Sequence, residues 1–152
     1  GTLVSAVLTL AKTEHLDRLD GLVAACHAEV GIKLADAARR KGIAPLLEGT
    51  PYGAVYLIGP PRAPIGYMAV TFGWSLEFGG MDGSIDEIYV RPGVRGRGVA
   101  TETLQALPRA LSGAGLKALH LEIGRGDAKA EKLFARNGFK ARADNVLMSK
   151  VF

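Results

Sequence analysis

The sequence predicts an α+β protein in which helices and short strands follow one another irregularly. Its 152 residues suffice for one domain with a sizeable core, so we expect a single domain over 1–152. Hydrophobic residues make up 48% of the chain and charged residues 22%, as in ordinary globular proteins. Helix-type and strand-type hydrophobic patterns alternate, mostly separated by glycine or proline. The predicted order of elements is β-α-α-β-β-β-α-β-α-β-β.

The first part of the chain is predicted to form a strand, two helices and a second strand. Small and apolar residues favour a strand over 3–10. Thr13 is expected to cap a helix whose apolar residues recur every third or fourth position, and Gly31 is expected to end it. A second helix is predicted over 34–47 and a strand over 54–58.

The middle of the chain is predicted to form a long hairpin. After a proline-rich turn, a strand is predicted over 65–76. The glycines within 79–83 predict the hairpin turn, which leads into an acidic strand over 84–90. A third helix is predicted over 101–111, although Pro108 removes one of its hydrogen bonds and should bend it.

The last part is predicted to contain a strand over 116–123, a helix over 127–136 and two short strands after that helix.

A glycine-rich stretch joins the acidic strand to the third helix. It carries the pattern R-x-x-G-x-A at Arg95, Gly98 and Ala100. Glycine lets the backbone turn tightly and approach a ligand closely. Consecutive N–H groups and the positive end of the helix dipole then face one point, which suits a pyrophosphate. The predicted phosphate-binding residues are Arg95, Gly96, Arg97, Gly98, Val99, Ala100 and Thr101.

This stretch resembles the acyl-coenzyme A loop of the GNAT N-acetyltransferase superfamily, whose pattern is [RQ]-x-x-G-x-[GA]. A second block, from Asp127 to Phe139, is similar to the family pattern N-x-x-A-x-x-L-Y-x-x-x-G-F. The resemblance implies a mixed, mostly antiparallel sheet of six to seven strands flanked by about four helices. It also implies acetyl-CoA as co-substrate without a metal, and a homodimer is common in the family.

The acidic pair Asp86 and Glu87 is the best candidate for amine chemistry. An alkylamine titrates near about 10.4, so a carboxylate must bind the ammonium and remove its proton. The pair resembles that of diamine and polyamine acetyltransferases. Strand alternation places Glu87 with Tyr89 on one face and Asp86 on the other, and only a bulge would bring both carboxylates to one pocket. We rank Glu87 above Asp86 as the base; the alternative is a charged rim of the sheet.

The resemblance assigns further roles to backbone groups of the acidic strand. The N–H of Ile88 or its neighbour would stabilise the oxyanion, and Ile88 and Val90 would pair with the pantetheine arm. The family tyrosine that protonates the leaving thiolate is replaced by Phe134, which has no proton to give. Tyr89 and Tyr67 are possible substitutes, and solvent is another.

The second block departs from the family pattern at its first position. The family asparagine that contacts the cofactor is replaced by Asp127, whose main role we expect to be that of a helix cap. Arg136 stands where the family often has a basic residue near the nucleotide phosphate, and an exposed arginine explains it equally well.

Composition narrows the partners and the compartment. Cys26 is the only cysteine, so no disulfide forms within the chain; we expect it in the core and the protein in the cytoplasm. No apolar run approaches the roughly 18 residues of a membrane span, and no export signal opens the sequence. His15, His27 and His120 lack metal-ligand spacing, and we assign them no chemistry.

Charge is distributed unevenly. Residues 1–90 carry seven Lys or Arg against ten Asp or Glu, and residues 91–152 carry twelve against five. The basic residues are scattered and lack interleaved aromatics, which disfavours nucleic-acid binding. This difference in charge fits an anionic cofactor bound by the second half and a cationic small-molecule amine bound by the first half. Polyamines and diamines are the first candidates for that amine. Aminoglycoside-like sugars, protein amino termini or lysines, and a non-catalytic acyl-CoA sensor are the alternatives.

Overall fold

A computed structural model describes residues 7–111 and 113–152 of the chain. The chain forms two compact units, Gly1–Glu122 and Ile123–Phe152. The expectation of a single domain over 1–152 stays a prediction. None of the helices in the described part of the chain combines the length and the apolar character that crossing a lipid bilayer requires.

The described residues of the first unit form three α-helices: α1 (Leu16–Val30), α2 (Asp36–Leu47) and α3 (Val99–Ala110). Gly31 ends α1 as predicted, in the left-handed conformation with φ 82°. The predicted cap at Thr13 is wrong, because Thr13 begins a short 3-10 helix that precedes α1. The chain enters this turn with His15 Nδ1 accepting a hydrogen bond from the Lys12 backbone N–H at 2.9 Å.

One five-stranded sheet forms the centre of this unit, and its spatial order follows the sequence. The strands are β1 (Leu8–Leu10), β2 (Gly53–Ile58), β3 (Gly66–Ser75), β4 (Gly80–Val90) and β5 (Ala118–Leu121). The first four pair antiparallel in sequence order, and β5 lies parallel to β4. The predicted α+β class with a mixed, mostly antiparallel sheet and about four helices is confirmed, but the described residues form five strands rather than six to seven.

Three predicted strand limits need correction or lie outside the described residues. The hairpin turn occupies residues 76–79 instead of 79–83, and β4 begins at Gly80. Its glycine-rich start is a strand because it pairs with β3, Gly80 opposite Ser75 and Gly83 opposite Phe72. Residues 3–6 of the strand predicted over 3–10 lie outside the described part. The two strands predicted after the last helix are wrong, since residues 137–152 join no strand ladder.

The apolar core lies on both faces of the sheet. On one face, Leu19, Val23 and Cys26 of α1 belong to the same buried cluster as Leu57 and Tyr67 of the sheet. The predicted core position of Cys26 is confirmed. On the other face, Val99 at the start of α3 packs with Ile58. The two helices α1 and α2 therefore cover one face, and α3 is anchored on the opposite one.

The second unit contains the helix α4 (Ala128–Arg136). Asp127 caps it as predicted, and its Oδ1 accepts a hydrogen bond from the Ala130 N–H at 3.1 Å. Phe134 is buried and meets Phe139 edge to face, with ring centroids 5.7 Å apart.

Candidate active site

A β-bulge in β4 carries the predicted acidic pair. Ala69 of β3 pairs with Glu87, but the next residue, Val70, pairs with Ile85. Asp86 is therefore an extra residue with no partner in β3. The bulge also puts Ile85 and Glu87 on opposite faces, although they lie two positions apart. Strand alternation alone would separate the two carboxylates, and a bulge at this position is the condition, predicted from the sequence, for both of them to reach one pocket.

Glu87 is held by two side chains from other elements. Its Oε1 accepts a hydrogen bond from the Tyr67 hydroxyl at 2.7 Å, and its Oε2 lies 2.9 Å from His27 Nε2. The Glu87 side chain is 23% exposed, so a small molecule can still reach it. Each carboxylate oxygen accepts more than one hydrogen bond, which leaves room for an amine.

Sequence reasoning missed His27 and assigned it no chemistry. The signal was its position: His27 follows Val23 by one helical turn on the buried face of α1, where an apolar residue is usual. The other histidines have different roles. His15 contacts the backbone at the start of α1, and His120 Nε2 lies 3.1 Å from an Asp82 carboxylate oxygen.

Tyr67 and Cys26 stay protonated beneath this cluster. Burial raises the pKa of the Tyr67 hydroxyl far above its usual value, and its hydrogen bonds with Cys26 and Glu87 raise it further. Burial also raises the pKa of the Cys26 thiol. The Tyr67 proton is thus engaged with Glu87, and Cys26 is no nucleophile at neutral pH.

Asp86 lies in a different electrostatic environment. Asp86 is an exposed residue, yet partial burial of its carboxyl group raises its pKa, and the neighbouring Glu87 and Glu122 raise that pKa further, while His27 opposes them. A carboxyl group beside a second carboxylate gains most from a cation that both can contact. The two adjacent carboxylates therefore give the sheet a negative electrostatic potential at the bulge.

The backbone of β4 beyond the bulge has one edge that β5 does not pair with. The β4–β5 ladder, as far as the described residues show it, ends where Ile85 meets Leu121. The Arg91 N–H donates to the Ile65 carbonyl on the β3 side. Because backbone groups alternate along an antiparallel strand, those of Ile88 and Val90 face the other edge. These are the two residues predicted to pair with pantetheine.

The predicted phosphate loop follows β4 and a short 3-10 helix. Gly96 and Gly98 have φ values of 79° and 76°, and Gly98 is the N-cap of α3. Apart from the glycine itself and its neighbours along the chain, no described protein atom lies within 4 Å of the place where either Cβ would stand. The glycines are thus required by the backbone conformation and leave open space at a helix N-terminus, whose first N–H groups have no partner within the helix.

Arg95 contacts the protein rather than open space. Its Nε donates to the Val90 carbonyl at 2.8 Å, and its Nη2 donates to Glu29 at 2.7 Å. Its guanidinium carbon also lies 5.5 Å from the centre of the Tyr89 ring. Arg95 therefore ties the loop to β4 and α1, although its side chain is still 42% exposed. Arg97 is exposed as well.

The remaining predicted site residues fall into two groups. Tyr89 is buried, and its ring lies 6.0 Å from that of Tyr67. The Val99 side chain is buried against Ile58, so this residue offers its backbone alone. Asp127, Phe134 and Arg136 belong to the second unit.

Pockets border α1 on two sides. A pocket of 440 Å³ lies against His27 and is also lined by Ala24, Ala28, Ile32, Lys33, Leu34, Ala35 and Arg39. A second, of 680 Å³, lies between the start of α1 and the segment 89–94. Among the described residues, no group of three or more His, Cys, Asp or Glu side chains is placed to hold a metal ion.

Known proteins share this fold and part of this sequence. A model of the acetyltransferase (GNAT) family matches residues 50–139. No curated protein matches the chain.

Three solved structures illustrate the likeness. An integron cassette protein from the mobile metagenome of Cole Harbour Salt Marsh is 26% identical, with a TM-score of 0.81 over 95% of this chain and 89% of that one. A predicted acetyltransferase from Clostridium acetobutylicum, solved with acetyl-CoA, is 16% identical, with a TM-score of 0.75 over 94% and 95%. The enzyme AAC(6')-Iy, solved with a bisubstrate analogue of CoA and an acetylneamine, is 17% identical, with a TM-score of 0.77 over 96% and 98%.

Proposed function

The chain belongs to the acetyltransferase (GNAT) family, and we propose that it transfers the acetyl group of acetyl-CoA to a primary amine of a small cationic substrate. Family membership confirms the predicted N-acetyltransferase class and acetyl-CoA as co-substrate. We propose polyamines or diamines as the first substrates. The site residues, the homodimer and the cytoplasmic location stay predictions.

The main support for a cationic substrate is the pair of carboxylates at the bulge. Asp86 and Glu87 are adjacent, and the raised pKa of Asp86 reflects partial burial of its carboxyl group and the charge of Glu87 beside it. An ammonium group between them relieves this repulsion and is held by charge-assisted hydrogen bonds. A neutral acceptor would leave the repulsion in place.

Glu87 is the proposed base. Tyr67 and His27 hold its two oxygens, so the carboxylate has a defined orientation towards a bound amine. The proton of the ammonium passes to the carboxylate, directly or through water, and the free amine then attacks the thioester carbonyl. A C–N bond forms, the C–S bond breaks, and the thiolate of CoA leaves.

Backbone groups complete the proposed chemistry. The Ile88 N–H faces the edge of β4 that β5 leaves open, and there it can donate to the oxyanion of the tetrahedral intermediate. Val90 offers its N–H to pantetheine, since its carbonyl accepts from Arg95. The N–H groups of 96–101 bind the pyrophosphate.

Solvent is the proposed source of the proton for the thiolate. Phe134 has none to give, and the Tyr67 hydroxyl already donates to Glu87. Tyr89 is buried under the Arg95 guanidinium. In the second unit, Asp127 acts first as a helix cap, and the cofactor role of Arg136 stays a prediction.

The test is steady-state acetylation of an amine panel by Glu87→Gln. The variant keeps the shape of the side chain and removes its charge. Loss of a general base lowers turnover by about 10²- to 10⁴-fold, and alkaline pH, which supplies free amine, restores part of it. Acetyl-CoA affinity, measured by calorimetry, stays unchanged.

The comparison variant is Asp86→Asn, which we expect to raise KM for diamines and polyamines more than it lowers kcat. The panel also contains an aminoglycoside and a peptide with a free amino terminus. Equal, small losses from both variants at every pH would show that neither carboxylate is the base. Faster turnover of the aminoglycoside or the peptide than of any polyamine would overturn the substrate class.

A further inference from the structure

His27 joins the helix α1 to the proposed base. Its Nε2 lies 2.9 Å from Glu87 Oε2, and the two residues are 60 positions apart in the sequence. The imidazole is almost fully buried. The same residue lines the 440 Å³ pocket beside α1, so one side chain contacts both the pocket and the carboxylate.

In the hydrogen bond between His27 and Glu87, the imidazole is the donor. An ionised carboxylate accepts hydrogen bonds and cannot donate them, so His27 Nε2 carries the hydrogen. The other ring nitrogen, Nδ1, is buried and has no hydrogen-bond partner in the described part of the chain. A buried polar atom without a partner costs free energy. An apolar side chain would therefore fill this core position better if packing were its only role.

We propose that His27 is a positioning residue for acetyl transfer: with Tyr67, it fixes the orientation of the Glu87 carboxylate beside the acceptor amine. The proposal rests on the role of Glu87 as base. Tyr67 holds Oε1 and His27 holds Oε2, so the two donors determine the plane of the carboxylate. Without His27, the carboxylate keeps one donor and can rotate about it.

Three substitutions separate positioning from packing. His27→Gln places an amide N–H near the position of Nε2, whereas His27→Asn places its amide near Nδ1, where no partner is found among the described residues. We expect His27→Ala and His27→Asn to lower kcat by about 10- to 100-fold, as misplacement of a catalytic group does. His27→Gln should stay within about threefold of the parent, and KM for acetyl-CoA should stay within about twofold in all three.

A double-mutant cycle with Glu87→Gln tests whether His27 acts through Glu87. In that background the charge is already absent, so adding His27→Asn should change kcat by less than about twofold. His15→Ala is the matched control. His15 is as buried as His27, but its polar partners are the Lys12 N–H and the Glu14 carboxylate, so its loss should lower stability and leave kcat of the folded enzyme unchanged.

The outcomes distinguish this proposal from the one on which it rests. A large loss in Glu87→Gln with full activity in both His27→Asn and His27→Ala would overturn the positioning role and leave Glu87 as base. Full activity in Glu87→Gln would remove the base itself, and the positioning role with it. If His27→Gln and His27→Asn lower kcat equally, and still do so in the Glu87→Gln background, His27 has only a structural role. Rescue by His27→Gln together with the silent double mutant supports the proposal.

Discussion

The cofactor loop, residues 95–101, and the carboxylate cluster, formed by Asp86, Glu87, Tyr67 and His27, are built in different ways. The loop presents consecutive backbone N–H groups, and two glycines with positive φ determine its backbone conformation. The cluster gathers side chains from α1, β3 and β4, and its hydrogen bonds span 20 and 60 residues of sequence. The loop should therefore respond to changes of one backbone position, whereas the cluster should respond to changes in how the elements pack.

Gly98→Asp should produce the largest effect, in the loop alone. The side chain adds a Cβ at φ 76° and a negative charge where we place phosphate. Coenzyme A affinity should fall at least about 100-fold, or about 2.7 kcal/mol, in calorimetry. The isolated protein should stay folded, because no described atom occupies that space and an acidic residue suits a helix N-terminus. Arg97→Ala is the control, with a loss of at most about tenfold; unchanged affinity in Gly98→Asp would contradict the loop assignment.

Gly66→Ala should damage the cluster through packing. A Cβ at Gly66 would collide with the Tyr89 carbonyl, and the β3–β4 ladder would have to separate next to Tyr67. We expect the free energy of unfolding in urea to fall by about 1–3 kcal/mol, as for other overpacked sites. Gly42→Ala in α2 is the control: its Cβ meets nothing within 4 Å, and alanine favours the helix by up to about 1 kcal/mol. A fully stable Gly66→Ala would show that the ladder tolerates separation.

Asp86→Asn should have a smaller effect that depends on pH. The pKa of Asp86 is raised in the folded protein, so ionisation of this residue favours unfolding. The parent should therefore lose stability relative to Asp86→Asn as pH rises through the folded pKa of Asp86, and the difference should level off below the unfolded pKa. Urea unfolding at about pH 3 and about pH 7 measures it. A difference independent of pH would mean that the bulge imposes no electrostatic cost.

Phe134→Tyr should have the smallest effect of the four. The variant restores the hydroxyl that the family carries at this position, but we propose that solvent already protonates the thiolate. Turnover should change by less than about tenfold, which is about 1.4 kcal/mol of barrier. Single-turnover kinetics with acetyl-CoA measures the step itself. A larger gain would show that proton delivery limits this chain and that the missing hydroxyl matters.

The sequence predicts features that depend on local contacts better than features that depend on distant ones. Gly31 and Asp127 act on neighbouring peptide groups, so a helix end and a helix start were predictable from single residues. The glycines of the loop belong to the same class. The sequence predicts a turn at Gly80 and Gly83 because glycine is typical of turns, and only their pairing with β3 makes them part of a strand.

The cluster was predictable only in part. The acidic pair marked the strand, and the need for a bulge followed from alternation. The place of the bulge is set by the register with Ala69 and Val70, which one strand does not reveal. His27 was missed because its partner lies on another element, and a histidine on a helix face carries no sign of what it will meet.

The extra residue in β4 also bears on insertions and deletions. These are normally tolerated in loops, because a change of one residue within a strand reverses the faces of all that follows. Asp86 is an exception, since Val70 pairs with Ile85 and Ala69 with Glu87 on either side of it. Deleting Asp86 would close β4 into a regular ladder and leave both neighbours on their present faces. One codon thus separates this protein from a version with a single acid at the site, the strand being otherwise intact.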